Sequence, residues 1–344
     1  MELLIVVIVI ALLFDFINGF HDAANSIASI VTTKVLTPFK AVLWAAFFNF
    51  FAFFIAKYLI GEFGVANTVS KTVIEQYITL PIIFSGVIAA IIWNLFTWRL
   101  GIPSSSSHTL IGGFAGAAIA GAGFGSIHIP VIVKIACFIF LAPIIGMLVS
   151  IGITTAIMHI CKKQNPHRMN VVFNRLQLLS AAMFSIGHGL NDAQKVMGII
   201  GAALIVANSM GIEYGISSIS ELPTWVALSC HIAIALGTMS GGWRIVKTVG
   251  TRITKITPIE GVAAESAGAM TLYLMEVLKV PVSTTHTITG AIMGVGATKR
   301  LTAVRWGITK KLLVAWLLTI PVSALIAMGI YKFVKWVGIY GFVM

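Results

Sequence analysis

The sequence predicts an all-α integral membrane protein built as an inverted-topology repeat, with two interrupted helices and two helical hairpins. Three observations carry this expectation. The chain of 344 residues is 58% hydrophobic and only 10% charged, with a mean hydropathy of +0.99. A soluble domain has roughly a quarter charged residues, so this chain has too little polar surface to face water all round and suits a bilayer. Apolar stretches of spanning length recur along it, and two short polar motifs each occur twice, in the same order.

A spanning helix needs about 20 mostly apolar residues. Such runs cover 3–20, 39–60, 79–98, 103–122, 127–160, 175–207, 223–246, 258–278, 281–297 and 312–337. The first continues to residue 34 across "NGFHD", and the run 175–207 contains "GHGLND"; these predict the two interrupted helices. Pro103 and Pro281 join neighbouring runs into paired segments, each either a re-entrant hairpin or two full spans. The start "MELLIVVIVIALLF" has no positive n-region and no small-residue cleavage site, so it reads as a first span rather than a signal peptide. Aromatic stretches such as "WAAFFNFFAFF" read as lipid-facing or packing surface.

The formal net charge of +12 reads as topology, because no basic soluble segment is present to bind nucleic acid. Basic residues gather in three loops: Lys162, Lys163, Arg168 and Arg175; Lys247, Arg252 and Lys255; Lys299, Arg300, Arg305, Lys310 and Lys311. Glu62, Glu75, Glu213 and Glu221 lie in the other loops. The positive-inside rule puts the basic loops in the cytoplasm and the N-terminus outside, with Lys332 and Lys335 against the rule. The expected organisation is a first repeat over 1–161, a cytoplasmic basic linker over 162–174 and an inverted second repeat over 175–344. Cys137, Cys161 and Cys230 lack the spacing of a metal site or a disulfide framework.

The repeat is visible in the residues. "PSSSSHTLIGGFAG" (103–116) aligns with "PVSTTHTITGAIMG" (281–294), and "GFHDAAN" (19–25) with "GLNDAQK" (189–195). Inverted repeats with broken helices are a signature of secondary transporters, whose sites lie near the midplane. Pro103 suits a helix start, and Ser104, Ser105, Ser106 and Ser107 suit the cap and first turn. Hydroxyls and unpaired N–H groups around a helix N-terminus form an anion site; Ser283, Thr284 and Thr285 repeat the pattern. The simpler alternative is that these hydroxyls only cap a buried helix.

Asp22 and Asp192 are carboxylates in apolar surroundings, which marks them as functional candidates. They repel anions, so their partner is a cation or a proton. Asn18 and Asn25 around Asp22, and Asn191 and Gln194 around Asp192, offer further hard oxygen ligands. Lys195 stands where the first half has Asn25; it either neutralises Asp192 or attracts an anion. His108 and His286, five residues after their prolines, are substrate contacts, proton carriers or braces of the turn. Glu260 and Glu265, on the arm leading to the second turn, are secondary candidates.

At these motifs the chain resembles the inorganic phosphate transporter (PiT) family. "GFHDAANSIA", "SIGHGLNDAQKVMGIIG" and "VPVSTTHTITGAIMGVGA" are similar to that family's repeated signatures, and the resemblance runs from about Asp15 to Gly296. With its short basic connection, the chain looks like a compact bacterial member. The resemblance implies uptake of inorganic phosphate across the cytoplasmic membrane, coupled to Na+ or H+, or with phosphate carried as a metal–phosphate complex. It implies no bound cofactor, and homodimers. It implies phosphate ligands at Ser104 to Ser107 and Ser283 to Thr285, with Asn191, Gln194 and Lys195 close by. Thr109 and Thr287 are secondary positions in the same motifs. It implies cation-site residues at Asp22, Asn25 and Asp192, with Na+ at both aspartates. Sulfate permeases of the same family are an alternative. A channel is a rival, as is an intramembrane protease. Against the protease, Ser105 and His108 share one short turn, and the duplicated copy would need a second active site.

Overall fold

The structure, a computed structural model, describes residues 1–61, 63–212 and 215–338. Glu62 and Glu213 lie outside the described residues. The first half contains α1 (Glu2–Thr32), α2 (Pro38–Ile55), α3 (Gly64–Ser70), α4 (Leu80–Arg99), α5 (Ser106–Ala122) and α6 (Ile129–Cys161). The second contains α7 (Pro166–Ser209), α8 (Thr224–Ser240), α9 (Trp243–Lys247), α10 (Pro258–Val277), α11 (Thr284–Lys299) and α12 (Trp306–Trp336). Among the described residues six helices are long and apolar enough to cross a membrane, and α8 with its continuation through Arg252 makes a seventh, bent by 62°. The chain is therefore a multi-pass membrane protein.

Helix starts follow local chemistry. Proline occupies the first turn of α2, α4, α6, α7 and α10, where its missing N–H costs nothing. Asn165 caps α7 by accepting from His167 N at 2.9 Å. Because α7 starts at Pro166, the basic connection expected over 162–174 is only four residues of non-helical chain, and its remainder is helix.

The expected interruptions are not at the two polar motifs. α1 stays helical through "NGFHD" and α7 through "GHGLND". The glycines there serve close helix crossing instead. A Cβ on Gly19 would lie 2.2 Å from the carbonyl oxygen of Ile234 in α8, and one on Gly189 would lie 2.5 Å from that of Asn49 in α2. Small residues let membrane helices approach backbone to backbone. The break falls at Gly241 (φ +67°), between α8 and α9.

Matching helices meet matching partners. α1 packs on α8 as α7 packs on α2, and α4–α5 lies against α12 as α10–α11 lies against α6. Each hairpin is thus clasped by the last helix of the other half. The hairpins run in opposite directions. Ile74 N donates to Ser126 O (2.8 Å) and His128 N to Thr72 O (3.0 Å), closing the open end of the first hairpin. Its tip reaches the α9 region, where Thr248 Oγ1 donates to Gly101 O at 2.9 Å. The open end of the second hairpin is closed near that region by Lys299 Nζ on Glu260 Oε1 at 2.5 Å. The second tip reaches α3, where Thr68 Oγ1 donates to Lys279 O at 2.9 Å. The two tips therefore pass each other in the middle of the molecule. Outward faces are apolar, with Phe47, Phe51 and Phe54 of the aromatic stretch exposed on α2, and Phe39 before them.

Candidate functional site

Two helix N-termini meet where the tips pass. Ser105 and Ser283 are the N-caps of α5 and α11, accepting from His108 N and His286 N, each at 3.2 Å. The capping reading thus holds for these two side chains. It leaves the residues just inside each helix, Ser106, Ser107, Thr284 and Thr285, with first-turn N–H groups that have no intrahelical acceptor. All are buried.

The middle of α1 faces both tips. Asp22 Oδ2 accepts from Ser106 Oγ at 2.8 Å, and the carboxylate also takes Thr284 Oγ1 and Thr285 Oγ1, each at 3.4 Å. Asn25, one turn on, donates to Thr285 Oγ1 at 2.9 Å and Thr284 Oγ1 at 3.3 Å. Residues at i and i+3 share a helix face, so one face of α1 holds the second tip while its carboxylate holds the first. α7 closes the other side. Thr284 Oγ1 also reaches Asp192 Oδ2 at 3.4 Å. Lys195 Nζ donates to Asp192 Oδ1 (2.6 Å), Ser107 Oγ (2.5 Å) and Val282 O (2.6 Å).

Two histidines that the sequence reading passed over belong to this cluster. His188 Nε2 lies 3.3 Å from Asp192 Oδ2. His21 Nδ1 lies 2.9 Å from Asp22 Oδ1. One ligand atom each from Asp22, His188 and Asp192 lies within 4.8 Å of the others, a spacing that can hold a cation. The signal was in the sequence: His188 and Asp192 are four apart, one turn of continuous helix.

Other sequence candidates go elsewhere. Ser104 Oγ donates to Thr97 Oγ1 at 2.8 Å, beside His21. Thr109 and Thr287 bond back to Ser105 O (2.7 Å) and Ser283 O (2.9 Å) and so belong to their own helices. Gln194 is turned away from the tips, bonding Glu276 Oε1 at 2.6 Å and accepting from Val65 N at 3.1 Å. Continuous helix at this point puts Gln194 on a different face from Asp192 and Lys195. Asn18 and Asn191 are buried, and among the described residues Asn18 Oδ1 and both polar atoms of the Asn191 side chain have no hydrogen-bond partner.

His108 and His286 do not join the carboxylates. Their rings stand 5.0 Å apart, and His286 stacks on Trp316 of α12 at 4.0 Å. Trp316 Nε1 donates to Pro103 O at 3.0 Å. This geometry is that of a brace between the tips. Glu265 is buried at a three-helix junction, where Ser29 of α1 and Ser180 (2.5 Å) and Gln177 (3.1 Å) of α7 all donate to it. Glu260 is a helix-start residue: it accepts from Thr257 N at 2.5 Å in a capping box and pairs with Lys299. Glu260→Gln keeps an acceptor for the cap and loses a partly exposed ion pair, worth roughly 0–1 kcal/mol. The activity of this variant is expected to stay within about 5-fold of wild type, since a loss of about 1 kcal/mol falls short of the 1.4 kcal/mol that makes a tenfold effect.

Known proteins resemble this chain along most of its length. A model of the phosphate transporter family matches residues 18–327. The chain is 48% identical over 326 residues to a "Probable low-affinity inorganic phosphate transporter" of Rhizobium meliloti, covering 94% of each protein. It is 44% identical over 326 residues to a protein of the same name from Bacillus subtilis, again covering 94% of each. Among solved structures, one described as "The sodium-dependent phosphate transporter" shares the fold, with a TM-score of 0.83 at 24% identity, over 97% of this chain and 99% of that one. With the family's model spanning every motif of the site, from Asn18 to beyond the second hairpin, the chain belongs to the phosphate transporter family.

Proposed function

We propose that the chain is a secondary carrier that moves inorganic phosphate together with Na+ or H+ by alternating access. Phosphate binds between the two hairpin tips and the middles of α1 and α7. The observation that carries this reading is the meeting of two helix N-termini with two carboxylates at one buried point. Asp22, Asp192, Ser106, Ser107, Thr284 and Thr285 are each at most 4% exposed, so the point is sealed from both ends of the molecule. A site closed to both sides is what a carrier passes through and an open pore lacks.

The chemistry fits the substrate. Hydrogen phosphate is a dianion with a hydroxyl of its own, so it needs many donors and at least one acceptor. First-turn N–H groups and tip hydroxyls supply donors; the Asp22 carboxylate supplies an acceptor. A cation held by Asp22 and Asp192 keeps those carboxylates from repelling the anion. Moving negative charge into an inside-negative compartment is opposed by about 2.3 kcal/mol per charge per 100 mV, and a co-transported cation removes that opposition. The opposed hairpins, each clasped by the other half's last helix, favour a rocking movement that exposes the tips to one side at a time. In this reading the halves are inverted repeats, with the basic loops in the cytoplasm.

The test is radiolabelled phosphate uptake by purified protein in proteoliposomes, under imposed sodium or proton gradients and with sulfate as competitor. Uphill accumulation driven by one of the gradients is expected, with little inhibition by sulfate. Downhill equilibration that ignores both gradients would point to a channel and overturn the proposal.

A further inference from the structure

The seven-residue helix motifs of the two halves differ at four equivalent positions, and the last of these brings a lysine. Where "GFHDAAN" ends in Asn25, "GLNDAQK" ends in Lys195. Asn25 makes neutral hydrogen bonds to Thr284 and Thr285. Lys195 brings a charge. Its Nζ is surrounded by a carboxylate oxygen of Asp192 at 2.6 Å, a hydroxyl oxygen of Ser107 at 2.5 Å and a backbone carbonyl oxygen of Val282 at 2.6 Å. Carboxylate, hydroxyl and carbonyl oxygens are the ligands that a hard, dehydrated cation takes from a protein.

The ammonium has three N–H donors, and three acceptors meet them. It has no donor left for an anion, which argues against a phosphate ligand. Lys195 is 2% exposed and cannot leave its cage for water without moving the second tip, whose Val282 carbonyl it holds. Around Asp22 the corresponding hydroxyls come from Ser106, Thr284 and Thr285, and the first-half motif contains no lysine or arginine. Two aspartates and one lysine leave one net negative charge between the tips. Asp22, His188 and Asp192 converge there within 4.8 Å.

We propose that the Lys195 ammonium is a tethered cation that fills one of two equivalent cation positions, so that phosphate moves with one mobile cation where two matching halves would take two. The proposal rests on the cation-coupled carrier reading above. It turns the departure from symmetry into a stoichiometry: the fixed charge neutralises Asp192 throughout the cycle but never crosses the membrane, and only the cation at Asp22 contributes driving force.

The experiment compares wild type with Lys195→Asn, which gives the second half the side chain of the first. Proteoliposome uptake of radiolabelled phosphate is measured against sodium concentration at fixed pH, and against pH at fixed sodium. Wild type is expected to show a Hill coefficient of about 1 for its coupling cation, and Lys195→Asn one approaching 2 with a requirement for higher cation concentration. If Lys195→Asn fails to fold, Lys195→Gln, which keeps a carbonyl oxygen near the same place, replaces it. A wild-type coefficient near 2 overturns the proposal without any variant. An unchanged coefficient in the variant, with a raised KM for phosphate, also overturns it and makes Lys195 an anion ligand. A wild type that accumulates phosphate under neither gradient overturns the coupled-carrier reading itself.

Discussion

Asp22→Asn is expected to reduce phosphate uptake at least about 100-fold while leaving a folded protein. The carboxylate accepts from Ser106 of one tip and from Thr284 and Thr285 of the other, with His21 alongside. An amide at this position keeps one oxygen, turns the other acceptor into a donor, and removes the negative charge that would hold a cation. Two charge-assisted hydrogen bonds at roughly 1.5 kcal/mol each amount to about 3 kcal/mol, or roughly 100-fold in an equilibrium constant. The fold should survive, because α1 is held by its packing on α8, α7 and α4. Uptake in proteoliposomes measures the effect, and detergent thermal stability checks the fold. Asp22→Glu keeps the charge and is expected to retain measurable uptake. Wild-type rates in Asp22→Asn would remove the carboxylate from the transport cycle.

This contrast with Glu260→Gln separates the repeated carboxylate that the sequence ranks first from one that it ranks second. Only the structure shows that Glu260 spends its charge on a helix start and on Lys299, while Asp22 spends its charge across two hairpin tips.

Much of the helix plan was legible. The expected runs 79–98, 127–160 and 258–278 correspond to α4, α6 and α10 within two residues at each end, because apolar length is set by the bilayer and proline marks the starts. The motifs in α1 and α7 read as breaks in the sequence and are continuous helix in the structure. A glycine beside polar residues looks the same in sequence whether the helix opens or another helix crosses close by, and only the facing residue of that other helix, Ile234 or Asn49, decides. That misreading propagated into the site. If the helix is broken at "GHGLND", every polar residue nearby can point inward, and Gln194 is as good a candidate as Lys195. If it is continuous, helical phase groups His188, Asp192 and Lys195 on one side and turns Gln194 to Glu276. The pairing of His108 with His286 depends on two tips distant in sequence passing each other, which no local pattern encodes.

Gly112→Val and Gly290→Val are expected to impair folding to a similar extent, and each more than a typical overpacking change. The two glycines hold the same place in the repeated hairpin motif. A Cβ on Gly290 would meet the carbonyl oxygen of Pro143 at 2.1 Å, in α6. A Cβ on Gly112 would meet Ser323 Oγ at 2.2 Å and the carbonyl oxygen of Ile320 at 2.6 Å, in α12. Pro143 lies inside α6 and Pro321 inside α12, so each hairpin is pressed against a proline-containing stretch of the other half's last helix. Overpacking a well-fitted core costs roughly 1–3 kcal/mol when side chains can yield. Here backbone atoms obstruct the new group, and yielding means separating a hairpin from the helix that clasps it. Both variants should show lowered detergent thermal stability and reduced yield of folded protein. Any folded fraction should transport poorly, because displaced tips no longer meet at Asp22. If one variant collapsed and its counterpart were indistinguishable from wild type, the two hairpins would not be held alike. A transport cycle that moves both against α6 and α12 in equivalent ways would then lose its physical basis.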